Sequence, residues 1–291
     1  MTQQMTLQDW LAEAGAALQD SQVFLGHGTD NMWDESLQLT LPLLAIPFDA
    51  PRDILQRVIT DEELLQLRAA LQQRVEKRIP VAYITQQSWF CGMPFYVDER
   101  VLIPRSPIGE LIENGFAPWL LRQPARILDL CCGSACIAIA CAEFFPDAEI
   151  DAADISADAL AVAAINVEHY QSAVSLVQSD MFSGLQGRRY DLIVCNPPYV
   201  DADDMDTLPD EYRHEPALAL ASGTDGLDFT RQLLREAADH LTDDGVLIVE
   251  VGNSAPALEE AFPFAPFVWL EFERGGDGVF LLTADALRQH F

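Results

Sequence analysis

Apolar positions change their rhythm along the chain. In the first 80 or so residues they recur at helical spacing. Residues 6–20 read as an amphipathic helix capped by Thr6, and a second helical stretch runs from Asp30 to Ala45, opening with Asn31-Met32-Trp33. A third is the clearest: Thr60-Asp61-Glu62-Glu63 is a capping-box signature, Leu64, Leu67, Leu71 and Val75 follow on one face, and Pro80 ends the run. These helices predict a small all-α domain over residues 1–86, a platform for substrate recognition; the bland alternative is a stabilising extension.

The rhythm then shortens. Ser88-Trp89-Phe90, Cys91-Gly92-Met93-Pro94, Phe95-Tyr96-Val97, a turn at Asp98-Glu99-Arg100, and Val101-Leu102-Ile103-Pro104 predict a β-hairpin linker over residues 87–106. A helix is expected from Ile108 to Leu121. From Ala125 onward, short apolar strands alternate with helices, the signature of an open, doubly wound sheet over residues 107–291. Strands are expected at 126–130, 149–154, 174–178, 192–195, 245–251, 267–272 and 279–282, the last two as a closing hairpin. Helices are expected at 134–145, 156–170 and 229–241. The predicted fold is therefore α/β: a seven-stranded, Rossmann-like sheet behind a small helical domain and a linking hairpin.

Chemistry in such sheets sits just past the carboxyl ends of the strands. Two of those ends stand out. At one, an apolar run stops in Asn196-Pro197-Pro198-Tyr199. Neither proline has an N–H and both have fixed φ, so the loop offers carbonyl oxygens and the Asn196 amide with few backbone donors. That suits an –NH2 group, which brings two N–H bonds and needs two acceptors, while Tyr199 adds a flat face for a planar group. At the other end, Asp129-Leu130-Cys131-Cys132-Gly133-Ser134-Ala135 makes a strand-to-helix turn where a ligand can approach backbone. Asp154 closes the next strand, where a carboxylate can accept from ribose hydroxyls, and Asp180 follows the third. For Asp180 a solvated loop carboxylate is an equal alternative.

Composition narrows the class. No stretch of 18 apolar residues occurs, and the N-terminal region, with Asp9 and Glu13, lacks a basic-then-apolar leader pattern, so a soluble cytoplasmic protein without membrane association is expected. Formal net charge is −29, and residues 106–291 carry 9 basic against 32 acidic side chains. Such a surface repels phosphate backbones and attracts a basic protein; solubility alone accounts for it equally well. Of the six cysteines, Cys131, Cys132, Cys136 and Cys141 crowd one stretch without paired C-x-x-C units. Small buried thiols are expected there, and no metal.

Asp129 to Ala135, Asp154, Ser179-Asp180 and Asn196 to Tyr199, in this order, resemble class I S-adenosylmethionine-dependent methyltransferases. The Asn-Pro-Pro-Tyr run narrows the likeness to enzymes that methylate planar –NH2 groups. The helical N-terminal segment, the hairpin and Val101-Leu102-Ile103-Pro104-Arg105 resemble the protein-glutamine methyltransferases over nearly the whole chain. Pro104 to Glu110 and Glu211-Tyr212-Arg213-His214-Glu215-Pro216 are similar to the branch acting on the third large-subunit ribosomal protein, a basic partner. The release-factor branch has Arg-Pro-Asp-Thr-Glu where this chain has Arg105 to Glu110. Methylation of release factors, or of a nucleic-acid exocyclic amine, is the alternative. The resemblance implies S-adenosylmethionine as cofactor, held by Asp129, Cys131, Cys132, Gly133, Ser134, Ala135, Asp154, Ile155, Asp180, Met181 and Asn196. It implies Asn196, Pro197, Pro198 and Tyr199 around the substrate glutamine. Glu250 and His214 are candidates for supporting roles nearby, the alternative for His214 being a loop histidine satisfied by Glu215 or Glu211. Ala135 departs from the family's usual glycine, at up to ~1 kcal/mol if its φ is positive.

Overall fold

A computed structural model describes residues 4–120 and 122–291. Its strands are β1 (Ser88–Phe90), β2 (Met93–Phe95), β3 (Arg126–Leu130), β4 (Glu149–Asp154), β5 (Ser175–Gln178), β6 (Tyr190–Cys195), β7 (Leu241–Glu250), β8 (Val268–Trp269) and β9 (Val279–Thr283). β1 and β2 form a hairpin, and the other seven form one sheet in the order β5-β4-β3-β6-β7-β9-β8. β5, β4, β3, β6 and β7 run parallel; β9 is antiparallel to both β7 and β8. The seven-stranded α/β fold expected from the pattern is present.

Strand residues divide between two buried layers with a period of two. Ile127, Leu192, Val194, Val246 and Ile248 pack on one face, with the helix Cys136–Phe144 and with Ala163 of the helix Ala157–Tyr170. Leu128, Leu130, Ile193, Cys195, Leu247 and Val249 pack on the other, with Leu233, Leu234, Leu258 and Leu287. Both faces being covered explains why β6 and β7 carry continuous apolar runs, at 192–195 and 246–249, rather than alternating ones.

The N-terminal helices obey their caps. Leu7–Ser21 begins at Thr6 and Asp61–Lys77 at Thr60, each with a reciprocal capping box, closed by Asp9 and Glu63 respectively. Trp10, Leu11, Ala14 and Leu67 make their common core, and the Trp10 indole N–H donates to the Thr40 hydroxyl at 2.9 Å. The second helix is shorter than expected, Met32–Thr40, because Pro42 has no N–H to extend the ladder.

Two further expectations change. The helix from Ile108 stops at Glu113, since Gly115 turns the backbone to φ +63° and Pro118 follows; Leu121 lies outside the described residues. The hairpin is tighter than expected, turning at Cys91 and Gly92, both at positive φ, with Phe90 opposite Met93. A turn does form at Asp98, whose carbonyl accepts from the Val101 N–H. Val101–Pro104 pairs with side chains instead of a strand: the Tyr83 hydroxyl donates to the Val101 carbonyl at 2.6 Å and the Ile103 N–H to Glu215 at 3.0 Å.

Candidate functional site

Strand register brings the chemistry together. Leu130 lies beside Ala153 on one side and Cys195 on the other, and Cys195 lies beside Val249. The next residues along, Cys131, Asp154, Asn196 and Glu250, therefore emerge at one sheet edge. Chain order reverses between β3 and β6, which opens a crevice there. A cavity of about 230 Å³ occupies it, lined among others by Cys131, Cys132, Gly133, Ser134, Asp154, Ile155, Asp180, Met181, Asn196 and Pro198.

On the β3–β5 side the wall is made of turns. Cys131, Gly133, Ala135 and Met181 all have positive φ, of 64°, 52°, 61° and 49°. A Cβ at Gly133 would meet nothing within 4 Å, so the turn leaves open space for a ligand at its backbone. The Asp154 carboxylate accepts from the Gly133 N–H and from the Ser156 N–H, each at 2.9 Å. Burial raises its pKa against those backbone donors. A carboxylate has about four acceptor positions, so two remain for hydroxyls. Ile155, 48% exposed, gives the same cavity an apolar surface, as Met181 does. The Ser179 hydroxyl holds the strained Met181 by donating to its carbonyl at 2.6 Å. This combination of an open turn, a carboxylate and an apolar surface fits a nucleoside carrying an amino acid tail.

Two of the expected cofactor residues act from behind the wall. Asp129 is buried, accepts from the Ala138 N–H at 3.0 Å, and leaves Oδ1 without a partner. Burial pushes its carboxyl up to about 8, with the backbone bond opposing. Ala135 is fully buried and N-caps the helix Cys136–Phe144 in the left-handed conformation.

The other side of the cavity is assembled from distant segments. Asn196 lines it, and its side-chain oxygen is buried with no hydrogen-bond partner. Pro198 lines it too, but Pro197 is buried behind the loop and Tyr199 turns away. The Tyr199 hydroxyl donates to Glu250 at 3.0 Å, and its ring packs on Gly252, where a Cβ would come within 2.6 Å. His214 bonds the Lys77 carbonyl at 2.8 Å and does not line the cavity.

Sequence reasoning missed most of this second wall: Arg105, Ser106, Pro216, Leu218, Ala219, Phe229 and Gln232 all line the cavity. Arg105 forms a two-pronged pair with Glu215, at 2.6 and 2.8 Å, and lies 5.3 Å over the Tyr212 ring. Burial works to raise the Glu215 carboxyl, but His27 and Arg105 outweigh it and bring it down to about 2. Glu211 makes the matching contact with the helical segment, accepting from buried Arg74 at 3.1 Å and from the Phe24 N–H at 2.9 Å. No local signal marks these pairs, because each joins residues more than a hundred positions apart.

Residues 116–211 match the family model of the Methyltransferase small domain. A ribosomal protein uL3 glutamine methyltransferase of Neisseria meningitidis serogroup B is 49% identical to the chain over 97% of it and 94% of that protein. Its namesake from Francisella tularensis subsp. tularensis is 46% identical over 97% of the chain and 91% of its own length. A crystal structure of a methyltransferase from Pyrococcus furiosus superposes with a TM-score of 0.48 at 17% identity, over 77% of this chain and 99% of that one.

Proposed function

The chain belongs to the family of ribosomal protein uL3 glutamine methyltransferases, and we propose that it moves a methyl group from S-adenosylmethionine to the side-chain amide nitrogen of one glutamine in uL3, in the cytoplasm. The observation that carries this reading is the unpartnered, buried side-chain oxygen of Asn196, at the end of β6 and in the same cavity as the Gly133 turn. An orphaned buried acceptor is costly, about 1–3 kcal/mol, unless something donates to it. A glutamine amide supplies such a donor.

An amide nitrogen is a weak nucleophile because its lone pair is shared with the carbonyl. S-adenosylmethionine supplies the electrophilic methyl when bound. The chain's own residues supply placement: Gly133 and Ser134 receive the amino acid end, Asp154 the ribose, and Ile155 and Met181 the adenine. Oriented reactants gain roughly 7–11 kcal/mol from placement alone. The Asn196 side-chain oxygen accepts from the amide nitrogen and so favours it as it becomes positive, while Pro197, which does not line the cavity, shapes the loop instead of accepting the second N–H. Pro198, on the cavity wall, borders the amide. Tyr199 supports this loop from behind through its bond to Glu250 rather than presenting a face to the cavity. After methylation the amide loses its proton to water, so no dedicated base is required.

The formal charge of −29 favours a basic protein substrate over nucleic acid. No helix among the described residues is long and apolar enough to cross a membrane. The deciding assay is transfer of labelled methyl from S-adenosylmethionine to purified uL3, release factor and DNA side by side. Labelling of one uL3 glutamine is expected, with efficiency falling as salt rises. Preferential labelling of release factor or of DNA would overturn the substrate assignment.

A further inference from the structure

Glu250 closes β7 one residue past the pair Cys195–Val249, which sets it beside the start of the Asn196 loop. It is 5% exposed and does not line the cavity. Its two carboxylate oxygens are divided between two other segments. One accepts from the Tyr199 hydroxyl at 3.0 Å, the other from the Ser106 hydroxyl at 2.5 Å. Ser106 in turn accepts from the Ile108 N–H at 3.2 Å, at the head of the helix Ile108–Glu113. Tyr199 is fixed at its other polar end as well, its carbonyl accepting from the Ser254 hydroxyl at 2.7 Å. Just beyond, Val200 exchanges backbone bonds with Leu220 and Ser222, at 2.8 and 2.9 Å. The Asn196 loop and the Arg105–Ser106 segment, distant in sequence, meet in the same wall of the cavity and share one buried anchor.

We propose that Glu250 is the positioning residue of the reaction centre: by holding Tyr199 with one oxygen and Ser106 with the other, it fixes the Asn196 loop against the Arg105–Ser106 segment of the same wall. This rests on the glutamine-methyltransferase reading for its consequence in turnover, and on geometry alone for its consequence in loop order. A buried carboxylate with two hydroxyl donors is a rigid strut, since moving either segment leaves charge unsolvated. Gly252 and Gly226 make the strut tight, because a Cβ at either would lie within 2.6 Å of Tyr199 atoms.

Glu250→Gln keeps the volume and removes one acceptor. Turnover (kcat) is expected to fall roughly 10- to 100-fold, with the KM for uL3 and the Kd for S-adenosylmethionine each within about twofold, since the residue touches neither. Hydrogen exchange at the Val200 and Ser222 amides should quicken at least about tenfold while the β3 and β4 amides keep their rates. Tyr199→Phe, which removes a single oxygen, should show the same exchange change, and adding it to Glu250→Gln should lower kcat by no more than about threefold further. Should Glu250→Gln fail to fold, Tyr199→Phe decides alone. Unchanged exchange at Val200 and Ser222 overturns the proposal, whatever happens to turnover, as does a parallel loss of cofactor affinity or full additivity of the two variants. If wild-type protein does not methylate uL3, the substrate assignment fails, while the exchange experiment still decides the role of Glu250.

Discussion

The two walls of the cavity are built by different means. On the β3–β5 side, the bonds that shape the wall join residues close along the chain: Asp154 to Ser156 and Ser179 to Met181 are two apart, and Asp154 to Gly133 is 21 apart. They are backbone turns locked by short side chains. On the other side, Arg105 reaches Glu215 across 110 positions, Ser106 reaches Glu250 across 144, and Tyr199 reaches Glu250 across 51. These bonds are charge-assisted and buried, so they depend on the whole body being folded. The first wall can therefore be damaged locally, with loss of ligand affinity. Damage to the second should be paid in stability or turnover.

Breaking the Arg105–Glu215 pair should have the largest effect. Glu215→Gln leaves Arg105 without its carboxylate and is expected to cost about 3 kcal/mol, read as a lower midpoint in urea denaturation. The carboxyl lies near 2 when folded against an ordinary value of 4.5, so its contribution is complete above 4.5 and is lost as pH falls through 2. Wild type should thus lose more stability than Glu215→Gln over that acid range; equal losses would detach Glu215 from the second wall. Asn196→Ala comes next, with methyl transfer down well over tenfold and cofactor affinity little changed. Activity retained within about tenfold, a loss of only ~1.4 kcal/mol, would remove Asn196 from its role. Asp154→Ala should weaken cofactor binding by about 1.5–3 kcal/mol in calorimetry. Smallest is Ala135→Gly, which relieves a left-handed alanine and should raise stability by up to about 1 kcal/mol in thermal melts.

The same division decides what could be read without coordinates. The sheet strands were legible because a parallel strand covered on both faces must be short, apolar and β-rich, and the caps at Thr6, Thr60 and Ser156 mark helix starts by local hydrogen bonding. Asp154 was legible as a carboxylate ending a strand after a glycine turn. That it braces Gly133 and Ser156 was not, since backbone N–H groups carry no sequence signal. Asp129 and Ala135 were expected at the ligand, but they shape the turn from beneath it, one under the Ala138 amide and one as a cap. The hairpin's second arm was misjudged because Val101–Pro104 has strand composition while its partners, Tyr83 and Glu215, are side chains from elsewhere. Tyr199 had the composition of a stacking platform, yet Glu250 and Gly252 hold it back from the cavity.

The insertion of β9 between β7 and β8 has a consequence for the chain as it is made. A ribosome delivers residues in order, so β7 is complete at Glu250 while the strand that covers its outer edge arrives only with Val279–Thr283. In that interval β7 carries an unpaired edge through Val246, Leu247, Ile248 and Val249, a template for any other strand nearby. A chain halted or clipped between the two would hold every residue that lines the cavity and still present an open strand edge to its neighbours.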